Sequence, residues 1–325
     1  MSLLTPSWLR VFLAVAEHGS FNKAAEALLL TQPAVSQKVR QLEALLGVKL
    51  FERTPHGARL TSEGQTLQRY AHAVHWLLLA AEDALAAGLH NAPLTRHLHL
   101  GNTPSLSAYC FPAWLKTFVA QHPHIMVHLH TATTSEIVAA VARHTLHLGI
   151  IEGELPDEKA VAYTVLEESP FVLITPPTEP WVTHQTLPLH SLDRQPFIAR
   201  PPQAQTRRWM ENLFAQHHTH PRIIAELDQP DAIKKAVSHG IGVSLLPECM
   251  LTPEDAHRLH IITLTDAPLK RYLKAIWPQD MPLHPAALAF LETLTSEFPH
   301  LSEVIHQARH PDLKALYHLL EQDKA

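Results

Sequence analysis

The sequence predicts an α/β multidomain protein: an N-terminal winged helix-turn-helix, a long linker helix, and a C-terminal two-lobed α/β domain. Three observations predict it. Two short amphipathic helical runs meet at a tight corner within residues 20–46. A strict apolar heptad follows over residues 67–85, and alternating strand and helix patterns fill the chain from there to about residue 300. At 325 residues there is room for about two to three domains of ~100–200 residues each. Hydrophobic residues make up 46% of the chain, enough for several cores, and 26 prolines favour many short elements over one rod.

Thr5-Pro6-Ser7 can cap a first helix that buries Leu9, Phe12, Leu13 and Ala16 and ends at Gly19. Phe21, Ala24, Ala25 and Leu28 then fall at i, i+3, i+4 and i+7, one face of a second helix. Thr31 is a good N-cap for a third, and Pro33 is tolerated in its first turn, where the N–H groups lack partners anyway. Val35, Val39, Leu42 and Leu46 form its apolar face. Pro33, Gln37, Arg40 and Ala44 form the opposite one, flanked by Ser36 and Gln41. Such a helix can enter a major groove, hydrogen-bond base edges and set cations near phosphates. The bland alternative is an αα-corner with a solvated outer face. After Gly47, VKLFERTPHGARL alternates and breaks at residues 55–57, so it reads as a two-stranded wing with Arg53 and Arg59 flanking its loop.

Charge follows the same division. The whole chain carries −5, but residues 1–62 hold seven cations against four anions, a net of +3, which leaves −8 for the remainder. A basic first module on an acidic body is expected if only the first part touches phosphate. From Thr61-Ser62-Glu63 a long helix begins, with Leu67, Ala71, Val74, Leu78, Ala81 and Leu85 spaced 4-3-4-3-4. That seam predicts a partner helix from a second copy; packing against the chain's own body is the alternative. Gly88 and Pro93 mark a linker.

Beyond it, strands are expected at 98–101, 125–130, 146–151, 161–166, 171–174, 197–199, 223–227 and 243–246, with a returning strand at 269–277. One helical segment opens at Asn102-Thr103-Pro104-Ser105 and runs through 120; another is capped by Thr134-Ser135-Glu136 and runs through 142. Others start near Thr206, cover 231–239, and lie near 285–298 and 302–320. Two βα sets and a late returning strand predict two lobes with a cleft between them. The expected domains are 1–62 for the winged module, 63–92 for the linker and dimerisation helix, 93–300 for the binding domain, and 301–325 for a C-terminal helical extension. The lobes are expected at about 93–166 plus 267–300, and 167–266.

No N-terminal signal-peptide pattern is present and nothing approaches the ~18 unbroken apolar residues of a membrane span, so the expectation is a cytoplasmic protein with no membrane partner. Cys110 and Cys249 lie far apart and outside any CxxC, which gives no disulfide framework and no zinc site. The 26 histidines include His97/His99 and His128/His130 at i, i+2 spacing, but no HxxxH with a carboxylate stands nearby, and no metal site is assigned. A GxSxG elbow, a P-loop, a Rossmann glycine run and HExxH are all absent from the sequence, so no catalytic residue is assigned and an enzyme is not expected.

The stretch LRVFLAVAEHGSFNKAAEALLLTQPAVSQKVRQLEALLGVKLFERTPHGARLTSEG, residues 9–64, resembles the winged-helix domain of LysR-type transcriptional regulators almost position for position. The resemblance continues more weakly at 98–105, at LHLGIIEG (146–153) and at AIKKAVSHGIGVSLLPE (232–248), and covers roughly the first 300 residues. It implies a homodimer held by the linker helix, commonly a dimer of dimers, that binds two promoter half-sites. The complex bends the DNA and changes the bend when a small molecule enters the cleft, and RNA polymerase is a further implied partner. Carried over, Thr31, Gln32, Pro33, Ser36 and Gln37 sit where the family meets base edges, and Lys38, Arg40 and Arg53 where it meets phosphates. Many members have arginine at the position of Gln37; glutamine there favours adenine over guanine.

The second part resembles the two-lobed fold of periplasmic binding proteins, whose ligands meet strand ends and helix N-termini suited to anions. The matching positions are Thr103, Ser105, Thr134, Glu152 and Thr206, with Arg207 beside the last; each Thr or Ser is also a plausible plain helix cap. Glu152 departs from members that bind carboxylates through a cation, so a polar metabolite with an amine or hydroxyl stays open. No cofactor is implied beyond a small-molecule co-inducer. Two alternatives remain: a small-molecule-binding protein whose N-terminal helices serve dimerisation only, and a metal- or redox-responsive regulator using His or Cys.

Overall fold

The computed structural model describes residues 4–54, 57–86, 96–156, 159–266, 269–279 and 283–309. The chain divides into two compact units, Met1–Leu94 and Thr95–Ala325. In the first, α1 (Pro6–His18), α2 (Phe21–Ala27) and α3 (Gln32–Leu46) precede a ribbon of β1 (Phe51–Thr54) and β2 (Gly57–Leu60), and α4 (Ser62–Ala86) follows. The apolar faces read from sequence converge on one core of Leu9, Phe12, Val15, Ala24, Val35, Val39, Leu42, Leu50 and Phe51. Ser20 caps α2 by accepting from Lys23 N, and Thr31 caps α3 by accepting from Ala34 N.

The wing is fastened at both ends. Ala58 N donates to Gly19 O at 2.7 Å, and Gly57 has φ +139 with its Cα so close to that carbonyl that a Cβ would stand 2.2 Å from it. Only glycine fits there. Thr61 donates to Lys49 O at 2.6 Å and accepts from Gly64 N at 3.0 Å, so one hydroxyl joins the ribbon to the first turn of α4.

The heptad seam divides between two uses. Leu67 and Ala71 are buried in the winged unit's own core, whereas Val74 and Leu78 are exposed. The first two seam residues are therefore consumed locally. Ala81 and Leu85 lie on α4, but their side chains fall outside the described residues, as do Gly88 and Pro93.

The second unit contains β3 (Arg96–Asn102), α5 (Pro104–Tyr109), α6 (Phe111–Gln121), β4 (Ile125–Thr131), α7 (Thr134–Ala142), β5 (Leu148–Glu152) and β6 (Val161–Thr175). After these come β7 (Thr186–Leu187), β8 (Pro196–Ala199), α8 (Gln205–Gln216), β9 (Arg222–Glu226), α9 (Pro230–Ser238), β10 (Ser244–Pro247) and β11 (His260–Leu264). The series ends with β12 (Lys270–Pro278), α10 (Pro285–Thr293) and α11 (Leu301–Arg309). The strand order β4-β3-β5-β12-β6-β11-β7, with β10 also on β6, makes a mixed sheet. Strands β3, β4 and β5 are parallel, while β12 runs antiparallel to both β5 and β6.

The two strands expected at 161–166 and 171–174 are one strand of 15 residues, β6, which serves both lobes. Its first part pairs with β12 up to Pro170, and its last residues, Phe171 to Thr175, pair with β10 and β11. Side chains alternate across it, Phe171 and Leu173 facing α8 while Val172 and Ile174 face α9. In the other lobe, Leu98, Leu100, Phe118 and Phe290 fill one sheet face under α6 and α10, and Ile137, Val141, Ile151 and Ile276 fill the face under α7.

Further expectations change in detail. The helix expected through 120 is broken at Cys110 into α5 and α6, because Pro112 cannot continue a helix hydrogen-bond ladder. The helix expected to 298 ends at Thr293, with a 3-10 turn after it. The expected extension is described only as far as Arg309, and residues 310–325 lie outside the described ones.

Candidate functional site

Two regions carry candidate residues, one in each unit. At the cap of α3 Thr31 is exposed, and on the helix Pro33, Gln37, Arg40, Gln41 and Ala44 are exposed, Gln32 and Lys38 half-buried. Ser36 corrects the sequence reading: it is 4% exposed, and its hydroxyl accepts from Gln32 Nε2 at 2.8 Å, so it positions Gln32 rather than standing on the outer face. Arg40 Nε donates to Ser36 O at 3.2 Å, which folds the guanidinium back along the helix. Arg53 lies on β1 opposite Ala58, and its side chain falls outside the described residues.

One buried charge went unread. Glu43 sits on the core side of α3, where its carboxylate accepts from Lys49 Nζ at 2.7 Å and from the backbone N–H groups of Leu50 and Phe51 at 3.0 and 3.4 Å. Burial pushes its carboxyl up, but Lys49 and the two N–H groups together outweigh that and hold it below the ordinary range. This one side chain sets the wing against the helix that precedes it.

In the second unit, the carboxyl ends of β3 and β5 and the starts of α5 and α8 carry most of the expected effector residues. They fall into two sets with opposite hydrogen-bond status. At the first, both terminal nitrogens of Arg271 of β12 are engaged twice. Its Nη1 donates to Glu152 Oε2 at 3.3 Å and Thr206 Oγ1 at 2.9 Å; its Nη2 donates to Glu152 O at 3.0 Å and Gln205 Oε1 at 2.8 Å. Ser169 Oγ donates to Glu152 Oε1 at 2.5 Å, and the Gln205 amide returns to Glu154 O. Gly153, at φ +97, lies so near the guanidinium that a Cβ would overlap it. Burial pushes the Glu152 carboxyl up against the pull of Arg271 and Ser169, and lowers the Arg271 guanidinium. Glu152 and Thr206, expected to meet an effector, are thus engaged by an arginine of their own chain.

The second set is unsatisfied. Ser105, 8% exposed, accepts from Arg200 Nη1 at 3.3 Å. Arg200 Nε is buried and has no hydrogen-bond partner among the described residues. Asn102, 1% exposed at the end of β3, has no partner for either amide atom among the described residues. Buried polar groups are rarely left this way outside functional sites. Arg207, which the sequence placed beside the site, holds the loop: it donates to Arg200 O at 2.9 Å and pairs with Glu211 and Glu226 at 2.7 and 3.0 Å. Thr103 stands at the N-cap of α5 without a side-chain cap bond. Thr134 is not a cap: Thr133 is, in a reciprocal box with Glu136, and Thr134 is the buried first residue of α7.

The flagged histidines form a stacked ladder across β3 and β4, with His99–His128 ring centroids 4.6 Å apart and His97–His128 5.1 Å apart. Burial and the neighbouring imidazoles lower His99 to about 4. Among the described residues no group of three or more His, Cys, Asp and Glu is arranged to hold a metal ion, and no helix is long and apolar enough to cross a membrane.

A winged helix-turn-helix unit joined to a two-lobed domain with strand-end polar groups defines a DNA-binding regulator with an effector-binding body. Residues 6–65 match the model of the bacterial regulatory helix-turn-helix protein, lysR family, and residues 91–299 match that of the LysR substrate binding domain. The RuBisCO operon transcriptional regulator of Allochromatium vinosum is 30% identical over 292 residues, covering 89% of this chain and 95% of that protein. A full-length variant of OxyR from Pseudomonas aeruginosa shares the fold at a TM-score of 0.72 and 20% identity, over 91% of this chain and 96% of that one. The Synechocystis PCC6803 CcmR regulatory domain in complex with 2-PG matches at a TM-score of 0.58 and 27% identity, over 62% of this chain and 97% of that one. The chain belongs to the LysR family of transcriptional regulators.

Proposed function

We propose that this regulator reads promoter DNA through the outer face of α3 and is set by a small polar effector at the Asn102–Ser105–Arg200 end of its cleft. Gln37 and Gln32 meet base edges, Lys38, Arg40 and Arg53 meet phosphates, and Ser36 acts through Gln32. A second copy pairs along α4 from Val74 onward, and such dimers associate further. The chain acts in the cytoplasm and carries out no catalysis. Support for the DNA face is the exposure of Gln37 and Arg40 on a helix whose other side is core. In a salt-titrated gel shift on the gene's upstream region, Gln37→Ala should weaken specific binding by about 1–3 kcal/mol and leave non-specific binding unchanged. Lys38→Ala should weaken both and reduce the salt slope by about one. Equal effects of the two variants on all DNA sequences would defeat the assignment of Gln37.

The observation that carries the effector reading is the orphaned pair of polar groups, Arg200 Nε and the Asn102 amide. A guanidinium with free donors suits a carboxylate or phosphate group, and Asn102 can supply or accept the neutral bond beside it. Thermal shift against a panel of phosphorylated, carboxylated and amine-bearing metabolites tests this reading. Anionic members should raise the melting temperature of the wild type and not of Arg200→Ala. A response confined to neutral amines, or one that survives in the variant, would refute it.

A further inference from the structure

Cys110 and Cys249 are the only two cysteines in the chain. The structure brings them together. Cys110 closes α5 in one lobe; Cys249 is the middle residue of the 3-10 turn Glu248–Met250 that follows β10 in the other. Helix α5, which Cys110 closes, packs against that turn, and the two thiols lie near enough for each to shift the other's ionisation.

The residues next to the two thiols fix their register. Lys234 Nζ lies 4.7 Å from the centre of the Tyr109 ring and donates to Met250 O at 3.0 Å. The Tyr109 hydroxyl donates to Asp231, and Lys234 pairs with Asp231 and Asp255 at 3.2 and 2.8 Å. The residue before one cysteine and the residue after the other are therefore clamped by a single buried lysine. Cys249 is exposed and Cys110 half-buried, so a small molecule in solvent reaches Cys249 first.

The two thiols differ chemically. The neighbouring Cys249 sulfur, burial, and the nearby Glu167 and Glu152 carboxylates push the Cys110 thiol up and keep it protonated. The Cys110 thiol beside it, with a backbone N–H, draws Cys249 down. A thiolate is the nucleophile in thiol oxidation, so Cys249 is the attacking sulfur and Cys110 the resolving one.

We propose that Cys110 and Cys249 form a reversible disulfide that staples the two lobes together, made by a small hydroperoxide. The Cys249 thiolate attacks the distal peroxide oxygen; the O–O bond breaks, the other oxygen leaves as alcohol or water after taking a proton, and Cys249 becomes a sulfenic acid. The Cys110 thiol then attacks that sulfur, forming the S–S bond and releasing water. Overall two thiols lose two hydrogens and the peroxide is reduced; a dithiol reductant reverses the step. The bond forms when the two sulfurs close to about 2.05 Å. The staple would fix the lobe separation independently of any effector.

The test uses the full chain, reduced, then treated with hydrogen peroxide. The intact mass should fall by two hydrogens, neither cysteine should accept an alkylating reagent, a Cys110–Cys249 linked peptide should appear, and dithiothreitol should restore both thiols. Cys110→Ser should stop at a dimedone-reactive Cys249. Cys249→Ser should leave Cys110 unoxidised at the same dose. Retention of both thiols, a disulfide between two chains, or oxidation of Cys249→Ser at the wild-type rate would overturn the proposal. None of these readouts involves DNA or an effector, so their failure leaves the proposed function standing.

Discussion

Arg271 and Arg200 stand at two polar sets of the same binding unit, and they differ in what the chain gives them. Arg271 is enclosed: its donors reach Glu152, Thr206 and Gln205, and its neighbour Gly153 has no side chain to displace it. Among the described residues, Arg200 donates to a single side chain, Ser105, and its buried Nε donates to none. The first arrangement joins residues of both lobes; the second leaves a buried donor unpaired among the described residues. Burial alone does not separate the two arginines, whereas the count of satisfied donors does.

Removing Arg271 should do the most damage. Arg271→Met strands the buried Glu152 carboxylate, at a cost of about 3–5 kcal/mol to the binding unit in thermal melts. Without the guanidinium, burial drives the Glu152 carboxyl higher still, so the folded form takes a proton more readily than the unfolded one. The deficit should therefore shrink as pH falls and grow as pH rises through the unfolded carboxylate's value. A variant as stable as the wild type at neutral pH would dissolve the distinction between the two arginines.

Glu43 extends the comparison to the winged unit, as another buried charge with every oxygen used. Glu43→Leu should cost about 1–3 kcal/mol and speed hydrogen exchange at the Leu50 and Phe51 amides, which lose their acceptor. The folded carboxyl lies below its ordinary value of 4.5, so its contribution is present above that value and disappears as pH falls through the folded one. The protection of those two amides in the wild type, measured relative to the intrinsic exchange rate at each pH, should fall over the same range. Arg200→Ala should change stability least, within about 0.5 kcal/mol, because the native state already leaves its Nε unpaired. A loss as large as that of Arg271→Met would show that Arg200 is structural too.

The helix face proposed to meet DNA was separable from the core because its pattern is local. Spacings of three and four residues within α3 separate core from surface, and Val35, Val39 and Leu42 land in the core as the pattern requires. The misreading there, Ser36, and the omission, Glu43, are polar residues beside that apolar stripe; their position was a signal of burial, but their partners, Gln32 on one side and the N–H groups of Leu50 and Phe51 on the other, were not in the pattern. The cleft was less legible because its logic is non-local. Nothing near Glu152 in sequence announces Arg271, and nothing near Ser105 announces Arg200. Thr134 was displaced by one residue because Thr133 and Thr134 both fit a cap, and only Thr133 stands three residues ahead of Glu136. Likewise, Cys110 and Cys249 looked unrelated until β6 carried the chain from one lobe into the other.

The most direct test of the whole account is operator affinity measured with and without a metabolite found by the thermal-shift panel, for wild type, Arg200→Ala and Thr206→Ala. The account predicts a ligand-dependent change in affinity for the wild type and for Thr206→Ala, and none for Arg200→Ala, with all three binding the operator equally well in the absence of ligand. A response lost in Thr206→Ala and kept in Arg200→Ala would contradict it, and would return the effector to the Glu152 set.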